Sequence, residues 1–353
     1  MKLIYYSIRS FFIGTIFLLF FTVSCGKGAV VSVVEPLAQS ELLLGTVCKI
    51  TIYDKPSDEA FNAAFKRIKE IEDRMSIRID TSEISQVNAR AGIGPVVVSA
   101  DTFAVVEQAL VSAAQSSGAF DPTVGPLVQA WDIGGDNARR PPQEEIDSLL
   151  PLVGYDRVVL NAENSSIFLE DPRMVLDLGG IAKGYAADEV ANVLTAHGVR
   201  SAIVNLGGNV RTLGSKPDGS AWRIGIQNPE EERGGYLLIL QFAEMSLVTS
   251  GPYERFLELD GVVYHHILDT RTGYPVDSDF TSVSIITPKS FIADALSTAV
   301  YSLGLSKGME LINSLKDVEA ICITRSNEIY LSQGLLEGEI PYTLTNQDYT
   351  IIR

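Results

Sequence analysis

Apolar residues recur at intervals of three and four positions in several stretches of the chain, which places them on one face of a helix. These patterns predict helices that begin at Ser57, end at Gly118, span residues 183–197 and span residues 290–304. Gly118 suits a helix C-terminus because glycine adopts positive φ without strain. The clearest pattern follows Ser57, and its apolar positions are Phe61, Ala64, Phe65, Ile68, Ile71 and Met75.

Other stretches are rich in β-branched and aromatic residues and are bounded by glycine, proline or polar residues, which is typical of strands. They cover residues 42–54, 201–208, 222–226, 236–242, 262–267 and 282–286. Because helices and strands are mixed without the regular alternation of a βαβ fold, the pattern predicts the α+β class.

The N-terminal end has the pattern of an export signal. Lys2 and Arg9 accompany an apolar run at residues 11–23 that is too short to span a bilayer as a mature helix. The run ends in FTVSC, which resembles the lipobox where a lipoprotein is cut and the new N-terminal cysteine, here Cys25, is acylated; Thr22 differs from the usual leucine. An ordinary signal peptide or an uncleaved anchor is the alternative. We therefore expect a lipid-anchored protein of the bacterial cell envelope that faces the periplasm or the cell exterior.

The chain divides into three predicted parts. Residues 1–24 form the lipoprotein signal peptide. Residues 25–40 have little charge and no clean period, so they are predicted to be a spacer. Residues 41–345 are predicted to form the folded domain, which is long enough to bury a substantial core.

Composition narrows the function classes. A net charge of -16 argues against a nucleic-acid partner or a polybasic membrane patch. After Cys25, the chain has only Cys48 and Cys322, whose spacing fits neither a metal site nor a disulfide scaffold.

The segment DLGGIAKGYAAD, residues 177–188, has the strongest local pattern for ligand binding. An extended run leads into Gly179 and Gly180 and then into a helix whose first turn carries Lys183. Free N–H groups at a helix start and a mobile ammonium suit phosphate oxygens. A tight structural turn beside a solvated lysine is the alternative.

Asp294 and Thr298 stand four residues apart on a predicted helix and share one face, with Ser297 beside them. Hard oxygen ligands suit Mg²⁺ or Ca²⁺, and Mg²⁺ typically takes only one or two protein carboxylates. The alternative is a helix in which the Thr298 hydroxyl bonds back to its own backbone.

Two further loops carry candidate polar groups. His265 and His266 are adjacent on a predicted strand and face opposite sides, so only one can enter a given site, and His266 is the candidate acid/base or ribose contact. In GAFDPTVGPL, Phe120 could cover a ring and Asp121 could accept from sugar hydroxyls or ring nitrogens. A core phenylalanine and a turn aspartate are equally consistent with that loop.

Eight segments in order resemble the FAD:protein FMN transferase family, also called the ApbE family, whose members are often exported lipoproteins. They are LGT, MSIRIDTSEISQVN, GAFDPTVGPL, DLGGIAKGYAAD, NLGGN, TSGPYERF, HHILDTRTGYP and ADALSTA, and they span residues 44–298. The resemblance implies a mixed α/β body of two closely packed lobes with the flavin site between them.

The resemblance also implies the site residues. FAD, the substrate, would contact Leu44, Ala119, Phe120, Asp121, Asp177, Lys183, Leu268 and Arg78, the last at a position where members often have an aromatic residue. Mg²⁺, or alternatively Ca²⁺ or Mn²⁺, would be held by the Gly180 carbonyl, Asp294 and Thr298. Ser297 stands where some members have a second aspartate.

The activity that the resemblance implies is Mg²⁺-dependent transfer of FMN from FAD to a threonine of an exported redox protein, with release of AMP. Asp294 would place the metal, Lys183 would balance phosphate charge, and His266 would assist proton removal. One alternative is an FAD pyrophosphatase, in which water replaces threonine. The other is a non-catalytic flavin-binding lipoprotein, which would not need Asp294 and Thr298.

Overall fold

A computed structural model describes residues 35–228 and 235–352. In these ranges the helices are α1 (Asp58–Met75), α2 (Glu83–Ala89), α3 (Ala100–Gln115), α4 (Gly125–Trp131), α5 (Gln143–Leu149), α6 (Ala182–Ala196), α7 (Ser290–Leu303), α8 (Leu305–Ser314) and α9 (Gln333–Glu337). The strands are β1 (Leu37–Leu43), β2 (Thr46–Ile52), β3 (Val96–Val97), β4 (Val158–Asn161), β5 (Ser166–Leu169), β6 (Ala202–Leu206), β7 (Asn209–Leu213), β8 (Trp222–Gln227), β9 (Tyr236–Phe242), β10 (Ser246–Ser250), β11 (Phe256–Leu259), β12 (Val262–His265), β13 (Phe280–Thr287), β14 (Glu319–Thr324), β15 (Glu328–Leu331), β16 (Tyr342–Leu344) and β17 (Thr350–Ile352).

A nine-stranded sheet forms the centre of the fold, in the order β1-β2-β6-β7-β10-β13-β14-β15-β17. Its neighbouring strands are antiparallel, except that β15 and β17 are parallel. Alternate residues of one strand therefore face opposite layers. In β14, Ala320 and Cys322 face a helical layer, whereas Ile321 and Ile323 face a small sheet of β16, β9 and β8.

The helical layer contains two neighbouring apolar clusters. One packs α1, α3 and α6 against β2 and β6, and the other packs α7 and α8 against β13 and β14. Helix α7 contributes to both, since Ala295 and Ala299 belong to the first cluster and Leu296 and Val300 to the second. This arrangement agrees with two closely packed lobes, and the contact between α6 and α7 lies at their junction.

The α+β class is confirmed, and the four predicted helices correspond to α1, α3, α6 and α7. The predicted strand at residues 42–54 is wrong as a single strand. Leu44 and Gly45 both have positive φ and form a two-residue turn between β1 and β2, which pair antiparallel. Leucine is rare at such a position, which hides the turn in the sequence.

The folded body is longer than predicted at both ends. Strand β1 begins at Leu37, inside the predicted spacer. The sequence does not reveal this strand, because most of its side chains are exposed at the sheet edge and show no apolar alternation. Strand β17 lies beyond residue 345 and pairs with β15. The predicted signal peptide and Cys25 lie outside the described residues. No helix in the described ranges has the length and apolar character that a membrane span requires.

Candidate active site

The turn before α6 is held by its own backbone and by Asp177. The Asp177 amide donates to the Pro122 carbonyl at 2.8 Å, and the Gly179 amide donates to Asp177 Oδ1 at 2.7 Å. Lys183 Nζ folds back and donates to the Gly179 carbonyl at 3.2 Å. The predicted Gly-rich turn and helix start are therefore present, with the lysine lying over the turn.

Positive charge collects around Asp177. Burial raises the pKa of the Asp177 carboxyl, while the positive charges of Arg78, Arg255 and Lys183 act in the opposite direction. Three positive side chains around one carboxylate are a local exception in a chain whose net charge is -16. It suits a ligand that carries phosphate groups.

Asp294 joins α7 to the first turn of α6. Its side chain is 5 % exposed, Oδ2 accepts from the Gly184 amide at 2.9 Å, and Oδ1 lies 3.5 Å from Lys183 Nζ. The helices approach so closely that a Cβ on Gly184 would overlap the Ser290 carbonyl and lie 2.7 Å from Asp294 Cβ. Glycine at position 184 thus permits the contact that places Asp294.

The Gly180 carbonyl lies just outside α6. The helix begins at Ala182 and its first backbone bond runs from the Tyr185 amide to the Ile181 carbonyl, while the Gly184 amide of the first turn, which has no partner in the helix, donates to Asp294. Within the described ranges, no N–H donates to the Gly180 oxygen and the Thr298 hydroxyl makes no hydrogen bond. Thr298 Oγ1 lies 3.7 Å from the Cβ position of Gly180.

Three residues that can offer hard oxygens therefore lie together where α7 packs against the start of α6: Gly180 through its carbonyl, Asp294 and Thr298. The described ranges contain no cluster of three or more His, Cys, Asp or Glu side chains suited to a metal. A set with one carboxylate, one hydroxyl and one carbonyl fits Mg²⁺, which takes its remaining ligands from water and phosphate. The alternative in which Thr298 bonds back to its own helix is wrong.

Ser297 does not join this group. Its buried hydroxyl donates to the Asp294 carbonyl at 2.8 Å and lies 2.8 Å from the Ser250 hydroxyl on β10. Its helical position turns it toward the sheet, and its role as a metal ligand stays a prediction.

The loop at residues 119–121 borders the same corner. Phe120 is buried, and its Cε2 lies 3.1 Å from the Cβ position of Gly180. Both Asp121 oxygens are bonded within the protein: Oδ1 accepts from the amide and hydroxyl of Thr123, and Oδ2 accepts from the Tyr155 amide. Burial raises the pKa of Asp121. Its carboxylate thus fixes the loop, and the predicted side-chain contact to FAD stays a prediction.

Ala119 faces an open cleft of about 480 Å³. The cleft follows α7 beyond Thr298, with Ser302 one turn further along, and Arg271 and Lys307 line it as well. The cleft thus carries two positive side chains, but Gly180, Asp294 and Thr298 are not among its lining residues.

The two histidines have different environments. His265 is buried, with Nε2 3.0 Å from the Val276 carbonyl, and its Nδ1 accepts from the Ile267 amide. His266 is half-buried, and its Nδ1 lies 3.2 Å from the Arg255 carbonyl. A carbonyl only accepts, so Nδ1 of His266 carries the proton and Nε2 has a lone pair. Burial lowers the pKa of His266 to about 4.

Three other residues predicted to contact FAD differ in their exposure and in their partners. Leu44 lies at the β1–β2 turn, and its amide donates to Glu72 Oε1 at 2.8 Å. The Arg78 side chain is 64 % exposed and its Nη2 lies 3.1 Å from Asp132 Oδ1. The Leu268 side chain is buried in an apolar cluster with Trp131, so any ligand contact falls to its main chain.

Known proteins resemble this chain over most of its length. A model of the ApbE family matches residues 44–322. The chain belongs to the ApbE family. It is 38% identical over 331 residues to the FAD:protein FMN transferase of Treponema pallidum (strain Nichols), covering 89% of this chain and 91% of that protein. It is 37% identical over 294 residues to the FAD:protein FMN transferase of Klebsiella pneumoniae (strain 342), covering 83% and 90%.

Solved ApbE structures share the fold. The ApbE protein of Thermotoga maritima has a TM-score of 0.79 and 30% identity, and the match covers 86% of this chain and 99% of that one. The flavin transferase ApbE of Vibrio cholerae has a TM-score of 0.77 and 28% identity, with the same coverage.

Sequence reasoning missed three residues that support the ApbE site. Arg255 accepts through its carbonyl from His266 and adds charge near Asp177. Asp188 accepts from the amides of Ser290 and Phe291 at 3.1 and 3.0 Å, and so caps α7. Gly184 provides the close approach of α6 and α7. Asp188 follows Gly184 by four residues in the same helix, and that spacing could have indicated a shared packing face.

Proposed function

We propose that this chain is a Mg²⁺-dependent FAD:protein FMN transferase that attaches FMN to a threonine of exported redox proteins. The observation that carries the proposal is that Gly180, Asp294 and Thr298 lie together. In the described ranges the Gly180 carbonyl and the Thr298 hydroxyl make no hydrogen bond, and Asp294 Oδ1 lies 3.5 Å from Lys183 Nζ while Oδ2 accepts from the Gly184 amide. The reaction is inferred from the relatives, which are FAD:protein FMN transferases by name.

The donor set favours Mg²⁺, with Ca²⁺ or Mn²⁺ as alternatives that use the same oxygen chemistry. Bound there, Mg²⁺ would neutralise charge that develops on the pyrophosphate of FAD. Lys183 lies 3.5 Å from Asp294, so its ammonium can shift to the phosphates once the carboxylate has another cation. Arg78 and Arg255 add positive charge around the same corner.

The transfer breaks a phosphoanhydride bond of FAD and forms a phosphoester bond to threonine. The threonine oxygen attacks the FMN phosphorus, the bond from that phosphorus to the bridging oxygen breaks, and AMP leaves with that oxygen. The hydroxyl proton passes to His266 Nε2, which is the unprotonated ring nitrogen. Phe120, packed against Gly180, excludes water from one side of this corner.

The proposal is tested by mass spectrometry of an acceptor domain that contains the threonine, incubated with the full chain, FAD and Mg²⁺. We expect a mass gain equal to FMN less one water, together with free AMP. The gain should disappear with a chelator and return with Mg²⁺. Release of free FMN without labelling would identify a pyrophosphatase, and bound but uncut FAD would identify a flavin carrier.

Removing the Thr298 hydroxyl should weaken the metal site without harming the fold. Thr298→Val keeps the side-chain shape and loses no protein hydrogen bond, so the melting temperature should change little. We expect the Mg²⁺ concentration for half-maximal transfer to rise roughly 10–100-fold. Thr195→Val on α6, whose hydroxyl bonds to the Ala191 carbonyl, is the matched control. Equal Mg²⁺ dependence in both variants would exclude Thr298 as a ligand.

The role of His266 predicts a pH profile. Burial, assisted by the charges of Arg255 and Lys183, lowers its pKa to about 4, so its lone pair is available above that pH and lost below it. The acid limb of transfer should fall near pH 4 rather than near the usual histidine value of about 6.5. His266→Gln should slow transfer roughly 100-fold, whereas His197→Gln should not. An unchanged rate in His266→Gln would exclude it as the base.

We also propose that Cys25 anchors the chain to the membrane of a bacterial cell envelope, with the enzyme facing the periplasm or exterior. The support is the FTVSC segment after a short apolar run. Cells that express the chain should incorporate labelled palmitate into it, and Cys25→Ser should abolish the label. Incorporation that persists in Cys25→Ser would contradict the anchor.

A further inference from the structure

The β11–β12 hairpin is a two-stranded sheet of its own, separate from the nine-stranded sheet. Four of its apolar side chains are 40–54 % exposed: Phe256, Leu259, Val262 and Val263. An isolated hairpin is only marginally stable in water, and clustered exposed apolar residues mark interaction surfaces. This hairpin therefore has the character of a surface that a partner covers.

Strand β12 leads directly into His266. The register pairs Phe256 with His265, and the bond from the His266 amide to the Arg255 carbonyl continues it by one pair. Side chains alternate along a strand, so Val262 lies on the same face as His266. Leu259, the partner of Val262 across the hairpin, shares that face, whereas Phe256 and Val263 lie on the opposite one.

A second exposed apolar pair lies where the hairpin meets the rest of the fold. Arg255 Nη2 donates to the Gly45 carbonyl at 3.4 Å, which joins the base of the hairpin to the β1–β2 turn. Just beside that turn, Leu42 and Val47 are cross-strand partners and are 77 % and 56 % exposed. Arg255 therefore links the two apolar pairs, through its strand to Leu259 and Val262 and through its side chain to the turn beside Leu42 and Val47.

We propose that Leu42, Val47, Leu259 and Val262 form the docking surface for the acceptor protein. The inference rests on the proposed function. A threonine hydroxyl has to come within about 3 Å of His266 Nε2 to lose its proton, so the protein that carries this threonine must cover the surface around His266. None of these four side chains is among the residues predicted to contact FAD, so the surface is available to a second substrate.

The acceptor would contribute a small apolar patch of its own. Contacts of this kind stabilise the encounter complex without touching the reacting atoms. Their loss should raise the KM for the acceptor, while the affinity for FAD and the rate at saturating acceptor remain close to wild type.

The test compares two faces of one hairpin in the full chain. Leu259→Thr/Val262→Thr removes apolar contacts on the His266 face, and Phe256→Thr/Val263→Thr removes similar contacts on the other face. Threonine keeps β propensity, so both variants should retain the hairpin. Leu42→Thr/Val47→Thr tests the second pair. Val97→Thr/Val159→Thr, at exposed positions of the β3–β5–β4 sheet, is a distant control.

We expect the acceptor KM to rise about tenfold in Leu259→Thr/Val262→Thr, and several-fold in Leu42→Thr/Val47→Thr. The opposite-face and distant variants should stay within about twofold of wild type, and FAD affinity from flavin fluorescence should be unchanged in all four. The same acceptor domain serves throughout, so absence of labelling by the wild-type chain would refute the proposed function instead.

Four results would overturn the docking surface. The acceptor KM of Leu259→Thr/Val262→Thr could equal that of wild type, or the opposite-face variant could lose as much. Sedimentation could show a wild-type dimer that the variant converts to monomer, which would make this surface a contact between copies. Anionic vesicles could bind wild type and not the variant, with acceptor KM unchanged, which would assign the surface to the membrane.

Discussion

Asp294→Asn should abolish transfer, with a loss on the order of 1,000-fold. Asparagine retains an oxygen that can accept from the Gly184 amide, so the contact between α6 and α7 should survive. It removes the negative charge opposite Lys183 and the carboxylate oxygen that completes the group with Gly180 and Thr298. The measurement is the initial rate of acceptor labelling together with calorimetric Mg²⁺ binding.

Asp188→Asn is the matched control for this substitution. Asp188 is also a carboxylate that joins α6 to α7, but it does so by capping the start of α7 through the amides of Ser290 and Phe291. We expect a modest loss of stability, about 1 kcal/mol, and a rate per folded molecule within a few-fold of wild type. Transfer by Asp294→Asn at a tenth of the wild-type rate or more would show that Asp294 does not hold the metal.

Gly184→Ala should damage both stability and activity. The added Cβ would overlap the Ser290 carbonyl and crowd Asp294 Cβ, so α7 has to move away from α6. Overpacking of this kind costs about 1–3 kcal/mol of unfolding free energy. A displacement of Asp294 by about 1 Å would slow transfer roughly 100-fold. Thermal melting and acceptor labelling measure the two effects.

Gly94→Ala controls for the general effect of replacing a glycine. Its added Cβ would meet only the flexible end of the Arg90 side chain at 3.2 Å. We expect wild-type activity and a melting temperature within a few degrees of wild type. If Gly184→Ala behaves in the same way, the close approach of the two helices does not set the position of Asp294.

The sequence pattern was sufficient for the parts of the fold that have strong local signals. The apolar spacing predicted α1, α3, α6 and α7, and the Asp294–Thr298 spacing placed both residues on one helical face. The turn at Leu44 and Gly45 and the exposed edge strand β1 were missed, because a leucine at positive φ and a strand without apolar alternation give no local signal.

Long-range contacts explain most of the remaining differences at the site. Ser297 and Asp121 were assigned from their positions in motifs. Their bonds to the Ser250 hydroxyl and to the Tyr155 amide join distant parts of the chain, and no local pattern specifies them. Arg255 reaches His266 through the pairing of β11 with β12, which depends on strand register. The role of Gly184 in the packing of α6 against α7 becomes visible only in the structure, where α7 lies directly against it.

The distance along the chain between the site residues makes the binding of the ion conditional on folding order. Gly180 and Gly184 lie at the start of α6, whereas Asp294 and Thr298 belong to α7. Asp294 lies 110 residues after Gly184 in the chain, so the oxygen group cannot exist on a partly synthesised or unfolded polypeptide. Ion affinity would then appear only in the completed fold, and binding would add to the free energy that keeps α7 on α6.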